Sequence, residues 1–439
     1  MRDKRTACQS IFLFRPEHEV GKVLRQISLW LDDNPTVFGW IAADLGASKN
    51  ADRGRPGMPC DQVLRAGLIL AYRQISFREL AFCLRDSMSF QHFVRVDPFL
   101  VPSKSTLQRN ISAIKPATWE RIHRRHLQFL IEEGFESAHS LRIDSTVTST
   151  HILKPTDSKL LYDGVMRACR LMKKVKKQSP IRYVNHSRRA RRAYLAAYNA
   201  KSQAQRLQYY ETLIKDLGET RDALQETRLA LQNSGLRAWI EQADELVPLL
   251  NKVLYQTIQR VFEGETVPVE SKLVSLQEPH TDIIKKGGRE TFFGHKLNLV
   301  TGRSGTVLDV YVEDGNPADS VRFLPMLKRH IDQLGIVPKE VAADGGYASE
   351  ANLSRTKALG VANVAFHKRV NLTIENMTGG DAWLYRELRC FRAGIEAGIS
   401  YLKRCFGLGR IWRHGRTHFD AYVWMAVLTH NLIRWARST

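Results

Sequence analysis

A helical block spanning 155–284 splits the strand-forming part of this chain in two. Before it, LRIDSTV (Leu141 to Val147) reads as one short strand. After it, FFGHKLNLVT (Phe292 to Thr301) and TVLDVYV (Thr306 to Val312) read as two more, joined by the turn Gly302-Arg303-Ser304-Gly305. An amphipathic helix over Pro317 to Leu334 follows Gly315-Asn316, then strands over Lys339 to Ala343 and Gly360 to Phe366. Strand, hairpin, helix, strand, helix is a mixed α/β order.

With the block removed, that order matches a ribonuclease H-like sheet. The block itself is basic, then heptad-like. Between Asp163 and Glu211 there is no acidic residue, while Arg167, Arg170, Lys173, Lys174, Lys176, Lys177, Arg182, Arg188, Arg189, Arg191, Arg192, Lys201 and Arg206 fall there. Tyr183, Tyr194, Tyr198, Tyr209 and Tyr210 are interleaved. A basic run is usually a solvated helix face, but without acidic relief this one suits phosphate contact with some stacking. Further on, Leu207, Tyr210, Ile214, Leu217, Leu224 and Leu231 take a and d positions, with Arg221 and Arg228 at the remaining ones. Ser234-Gly235 ends that helix, and the apolar run Leu236 to Phe262 is expected to fold back on it.

The whole chain carries the same bias. Its 439 residues have a formal charge of +21, which calls for a polyanion: DNA, RNA or an anionic membrane. The apolar run Ile11 to Phe14 is too short for an export signal, and no stretch reaches the ~20 apolar residues of a membrane span. The expectation is a soluble cytoplasmic protein. Six cysteines (Cys8, Cys60, Cys83, Cys169, Cys390, Cys405) without a CxxC pair are read as reduced thiols. The amino-terminal part, 1–138, is different in kind. Short helices are expected around DQVLRAGLILAYR, around SFRELAFCLR with the capping box Ser76-Phe77-Arg78-Glu79, and after a second box, Ser105-Thr106-Leu107-Gln108. Such helices suit a helix-turn-helix unit on DNA, or a plain bundle.

Candidate chemistry centres on acids. In AADGGYASEANL, Asp344 leaves a strand directly into Gly345-Gly346, either to cap a turn or to hold a metal ion. Asp144 ends the strand LRIDSTV, which is expected beside it. Two adjacent aspartates repel, and a hard divalent cation relieves the repulsion. A third carboxylate, Glu396, lies in FRAGIEAGISYLKRC on a helix. Arg392 falls about 40° to one side of it and Lys403 about 20° to the other, so all three share a face. Gly394 and Gly398 cost the helix ~1 kcal/mol each against Ala, and make sense where a strand or DNA backbone comes close. Rival constellations are poor. His414 and His418 have zinc-hydrolase spacing without the intervening helical glutamate, there is no GxxxxGK[ST], and Trp412, Trp424 and Trp435 read as packing residues.

Arg392-x3-Glu396-x6-Lys403 resembles the signature around the glutamate of the DDE transposases of bacterial insertion sequences, and RIDST and AADGGY resemble the segments holding their aspartates. HILKPTDSKLLYDGVMR, GHKLNLVTGRSGTVLDVYVEDGNPADSVRFLPML and GMPCDQVLRAGLILAYRQISFRELA are similar to the ISNCY group, so the likeness covers essentially the whole chain. It implies a helical DNA-binding region over 1–138, a ribonuclease H-like core over 139–154 and 285–439, and the helical insertion between. It also implies cleavage at transposon ends and transfer of the 3′-hydroxyl to target DNA by two Mg²⁺ ions, Mn²⁺ being a possible substitute. Asp144 would bridge the ions, Asp344 and Glu396 would complete one shell each, and Arg392 and Lys403 would hold a phosphate. Partners implied are the terminal inverted repeats, target DNA and a second copy of the chain. The family's tyrosine three residues before the arginine is Arg389 here; Tyr385, on the same stripe, is the candidate replacement. A DNA-binding regulator without catalysis and a nuclease without strand transfer are the alternatives.

Overall fold

The computed structural model describes residues 18–46, 57–286, 290–367 and 372–438; Cys8 and Ile11 to Phe14 lie outside them. The chain forms two compact units, one from the segments up to Thr150 and from His295 onward, the other from His151–Gly294.

The first unit opens with helices α1 (Glu19–Asp33), α2 (Thr36–Gly46), α3 (Cys60–Arg73), α4 (Phe77–Asp86), α5 (Met88–Val94), α6 (Lys104–Ser112) and α7 (Pro116–Glu132). Ser76 caps α4 as expected, its Oγ accepting from the Glu79 N–H at 3.1 Å. The start of α6 is two residues earlier than the sequence suggests. Ser103 offers a hydroxyl before Ser105 does, and its Oγ accepts from the Thr106 N–H at 3.3 Å. Strand β1 (Ser140–Thr150) then carries the chain into the second unit.

There, α8 (Asp157–Val175), α9 (Ser187–Asn199), α10 (Gln203–Ala230) and α11 (Arg237–Val261) pack on one another around Leu161, Met172, Leu217 and Leu250. The fold-back of α11 on α10 is as expected. The heptad reading of α10 is not. Its buried positions are Leu213, Asp216, Leu217, Thr220, Leu224 and Thr227, while Leu207, Tyr210 and Ile214 are only half-buried. This stripe covers α8, α9 and α11 of the same chain, so the leucines serve an intramolecular bundle. Strand β2 (Asp282–Lys286) closes the unit by pairing antiparallel with the first residues of β3 (Glu290–Thr301), from Asp282↔Gly294 to Lys286↔Glu290.

Back in the first unit come β4 (Val307–Val312), α12 (Asp319–Leu334), β5 (Glu340–Ala343), α13 (Glu350–Ala358), β6 (Asn363–Phe366), α14 (Ile374–Thr378), α15 (Ala382–Cys405), β7 (Arg410–Ile411) and α16 (Arg416–Ala436). The sheet runs β2-β3-β1-β5-β6, with β4 also on β3 and β7 also on β1. Strands β1, β5 and β6 are parallel, β3 and β4 antiparallel, which makes the sheet mixed. Parallel central strands are covered on both faces, so after their first residue EVAA and NVAF are apolar and buried. Leu141, Ile143 and Val341 pack on Phe323 and Leu327 of α12 and on Leu388 of α15.

Helix α16 is buried along almost its whole length, from Phe419 to Ala436. A helix apolar on every side needs cover on every side, and α1, α3 and α7 supply it. The amino-terminal helices, read from the sequence as a part of their own over 1–138, therefore share a core with the last helix of the chain. Trp424 and Trp435 belong to that core at 6% and 8% exposure; Trp412 does not, at 66%. The packing role read for Trp412 is thus overturned. Cys83, Cys169, Cys390 and Cys405 are free thiols, and Cys390 is exposed.

Candidate active site

The parallel register of β1 on β5 ends with Ile143 beside Ala343, so Asp144 and Asp344 are the next residues on adjacent strands. Asp344 leaves its strand there. Asp144 does not end its own: β1 continues to Thr150, and its far end changes neighbour, pairing Ser149 and Thr150 with β7. The aspartate therefore occupies the point where one edge of β1 loses β5 and has not yet gained β7.

Asp344 opens the 3-10 turn Gly345–Tyr347 without a side-chain hydrogen bond to it, so its carboxylate is not a turn cap. It faces Arg392 instead. Arg392 Nη2 lies 3.1 Å from Asp144 Oδ2 and 3.6 Å from Asp344 Oδ1, and Nη1 lies 3.2 Å from Glu396 Oε1. One guanidinium thus reaches three carboxylates from three separate segments. Asp144 is the deepest of them at 13% side-chain exposure, Asp344 is at 43% and Glu396 outermost at 66%. Three carboxylates against one guanidinium leave an excess of negative charge built only from oxygen donors, the set that hard divalent cations prefer.

Glycine has a definite use on α15. A Cβ at Gly394 would collide with Arg142 Nη1, whereas one at Gly398 would meet nothing within 4 Å. Arg142 spans the gap between sheet and helix, donating from Nε to Thr301 Oγ1 at 2.8 Å and from Nη1 to the Phe391 carbonyl at 3.1 Å. So Gly394 admits a side chain of β1. Gly346 likewise lets α12 approach, since its Cβ would lie 3.0 Å from Asp319 Oδ2.

Behind the carboxylates stands a polar wall that sequence reasoning missed. The fully buried Tyr347 donates its hydroxyl to Asn298 Oδ1 at 2.7 Å; Asn298 Nδ2 donates to Glu313 Oε1 at 2.7 Å; Arg322 grips both oxygens of Glu313 at 2.5 Å. Burial first, then the charges of Asp319, Asp144 and Asp344, hold the Tyr347 phenol well above its usual pKa, so it stays a neutral donor. Lys296 forms an ion pair with Asp319, Nζ to Oδ1 2.6 Å, and donates to the Pro317 carbonyl at 2.8 Å. The available signal was three polar residues, His295, Lys296 and Asn298, on a buried stretch of strand.

Other residues singled out from the sequence are placed as follows. Arg392, Glu396 and Lys403 all lie on α15. Tyr385 is buried and donates its hydroxyl to the Phe366 carbonyl at 2.9 Å. Arg389 donates to His367 Nδ1 at 3.2 Å. His414 and His418 are exposed and are part of no metal-ligand cluster among the described residues. In the second unit, Lys173, Lys174, Lys176, Lys177, Arg188, Arg191 and Arg192 are exposed. Arg189 differs, because it is ion-paired with Asp216 and Glu219 and its charge is already committed. These two acids and His186 also form a compact group of potential ligand atoms, with Arg189 supplying the counter-charge.

A mixed sheet with helices on its faces and acids at adjacent positions of its two central parallel strands is a ribonuclease H-like arrangement. Residues 261–432 match the family described as Transposase DDE domain, and residues 13–113 match the Transposase domain (DUF772). Together the two matches support a DDE transposase of an insertion sequence. The first match contains Asp344, Arg392, Glu396 and Lys403; Asp144 precedes it and reaches the others through the pairing of β1 with β5. The ISNCY likeness remains one of sequence alone. Among curated proteins and solved structures none matches the chain. No helix among the described residues is long and apolar enough to cross a membrane.

Proposed function

We propose that this transposase binds the terminal inverted repeats of its element, cuts phosphodiester bonds there and joins the freed 3′-hydroxyl to target DNA at the site formed by Asp144, Asp344 and Glu396. The observation that carries this reading is the convergence of those carboxylates on Arg392 from a strand, a second strand and a helix. They would hold two Mg²⁺ ions, or Mn²⁺ in their place. Bound there, the metal supplies positive charge that activates a hydroxyl near neutral pH and stabilises the leaving oxygen.

The chain's own groups do the positioning. Asp144 is fixed by β1 and by its bond to the Ser145 N–H at 2.7 Å. Glu396, on the exposed face of α15, adjusts most easily. Arg392 balances the acids when no other cation is present and is placed to turn toward a phosphate when one is, with Lys403 further along the same face. The exposed cations of the second unit, Lys173, Lys174, Lys176, Lys177, Arg188, Arg191 and Arg192, are suited to phosphates of the DNA backbone. We also propose that two copies bridge the two ends, and that the protein works in the cytoplasm on chromosomal or plasmid DNA.

The test is a cleavage and joining assay on a plasmid carrying the DNA that flanks the gene, with Mg²⁺, Mn²⁺ or chelator, comparing wild type with Asp344→Asn. Metal-dependent cutting and joining that the substitution abolishes is the expected result. Binding without cutting by the wild type would make the protein a regulator, and cutting without joining a nuclease.

A further inference from the structure

A cavity of about 790 Å³ opens in the first unit between α4, α6, the end of α15, β7 and α16. Its lining includes five cations, Arg78, Lys104, Lys403, Arg410 and Arg413, and among the described residues no carboxylate. Arg413 is the most telling. Its half-buried guanidinium lies 4.1 Å from the ring of Phe77 and 5.6 Å from that of Tyr422, with no ion-pair partner among the described residues. A guanidinium withdrawn from water without a counter-charge is costly, and an anion in the cavity offsets that cost. Trp412, an exposed residue, lines the same space.

Cations and an exposed indole together select a ligand that offers both phosphate and an aromatic face. A duplex stacks its bases inside and presents chiefly backbone, which leaves the indole unused; an unpaired nucleotide presents both. The volume agrees, falling within the roughly 300–1,000 Å³ of small-ligand sites, enough for a nucleotide or two and too little for a double helix. Lys403 ties the cavity to the carboxylates, since it follows Glu396 by two turns on one face of α15, about 10 Å along the axis.

We propose that this cavity receives one or two unpaired nucleotides of the DNA strand next to the cut, with a base stacked on Trp412 and its phosphates held by Arg413, Arg410 and Lys104. The inference rests on DNA being the substrate of the neighbouring carboxylates. It adds a seat for a distorted strand, which explains why cations of α4 and α6 converge on the end of α15.

The experiment is fluorescence anisotropy on the full chain, comparing a labelled oligodeoxythymidylate of about ten nucleotides with a blunt duplex of the same length. Trp412→Ala is expected to weaken single-strand binding about fivefold or more while changing duplex binding less than about twofold, and Trp412→Phe to retain most of the affinity. Arg413→Gln should lower the slope of log affinity against log salt by about 0.7 on the single strand. Because Trp412 is exposed, its replacement leaves the fold intact, which thermal unfolding would verify. Unchanged single-strand binding by Trp412→Ala, or equal loss on both DNAs, would overturn the assignment even if the flanking DNA is still cut and joined. So would competition by thymidine monophosphate at the same nucleotide concentration as the oligonucleotide, since that marks a site for free nucleotides. Binding of neither DNA by the wild type would remove the DNA-substrate reading and this one with it.

Discussion

Arg392 holds three acids that would otherwise repel one another, and this makes its removal informative. Arg392→Gln takes away a positive charge 3.1–3.6 Å from an oxygen of each carboxylate, worth about 1 kcal/mol per pair in water-like surroundings. Mn²⁺ should therefore bind about fivefold or more tightly to the variant, while DNA cutting falls because a phosphate contact is lost; titration followed by electron paramagnetic resonance measures the first effect. Weaker Mn²⁺ binding would show that the arginine organises the acids rather than competing for them. At Tyr347 the issue is hydrogen bonding. Tyr347→Phe leaves Asn298 Oδ1 without its buried donor and should cost about 1–2 kcal/mol of stability in urea unfolding.

On α15 the two glycines make opposite predictions. Gly394→Ala pushes against Arg142, which is anchored at both ends of its guanidinium, and should destabilise the protein by about 1–3 kcal/mol. Gly398→Ala meets open space within a helix and should stabilise it by up to ~1 kcal/mol. Thermal unfolding of the pair distinguishes the two; equal shifts would mean that Arg142 does not need the gap. Elements of this kind were legible because their signals are local. Alternation and turn residues located β1, β3, β4, β5 and β6 within a few residues, and the helical spacing of Arg392, Glu396 and Lys403 placed them on one helix. What was hidden depends on distant partners. Strand β7 is two residues long and exists through β1. The stripe of α10 looks like a heptad seam until α8, α9 and α11 cover it. Trp424 lies on the buried stretch of α16, and Trp412 lies outside that helix.

At the scale of the molecule, α16 fuses the amino-terminal helices to the sheet, and its environment is sensitive to acid. His123 and His430, both fully buried, and His330 are lowered to about 4 by burial, and His126 is also lowered well below 6.5. His123 faces the Val307 carbonyl, Arg124, Arg329 and His430, none of which is a carboxylate that would favour its protonation. Unfolded histidines take up protons near pH 6.5 and folded His123, His330 and His430 near 4, so stability should be complete above 6.5 and fall as pH drops toward 4. His123, His330 and His430 each contribute on the order of 2–3 kcal/mol to that loss. Asp309, raised to about 6 by burial despite Arg329, acts oppositely: the folded state holds its proton more tightly, which offsets part of the loss between about 6 and 3.8. Urea midpoints that stay flat from pH 7 to 4 would contradict this. The central claim is narrower, that Asp144, Asp344 and Glu396 together form the metal site. It is tested most directly by Mn²⁺ binding to the full chain with Asp144→Asn, Asp344→Asn, Glu396→Gln and His186→Ala. The account predicts that each of the first three weakens binding about tenfold or more while His186→Ala leaves it unchanged. Binding that survives the three acid substitutions and disappears with His186→Ala would place the metal in the second unit and contradict the account.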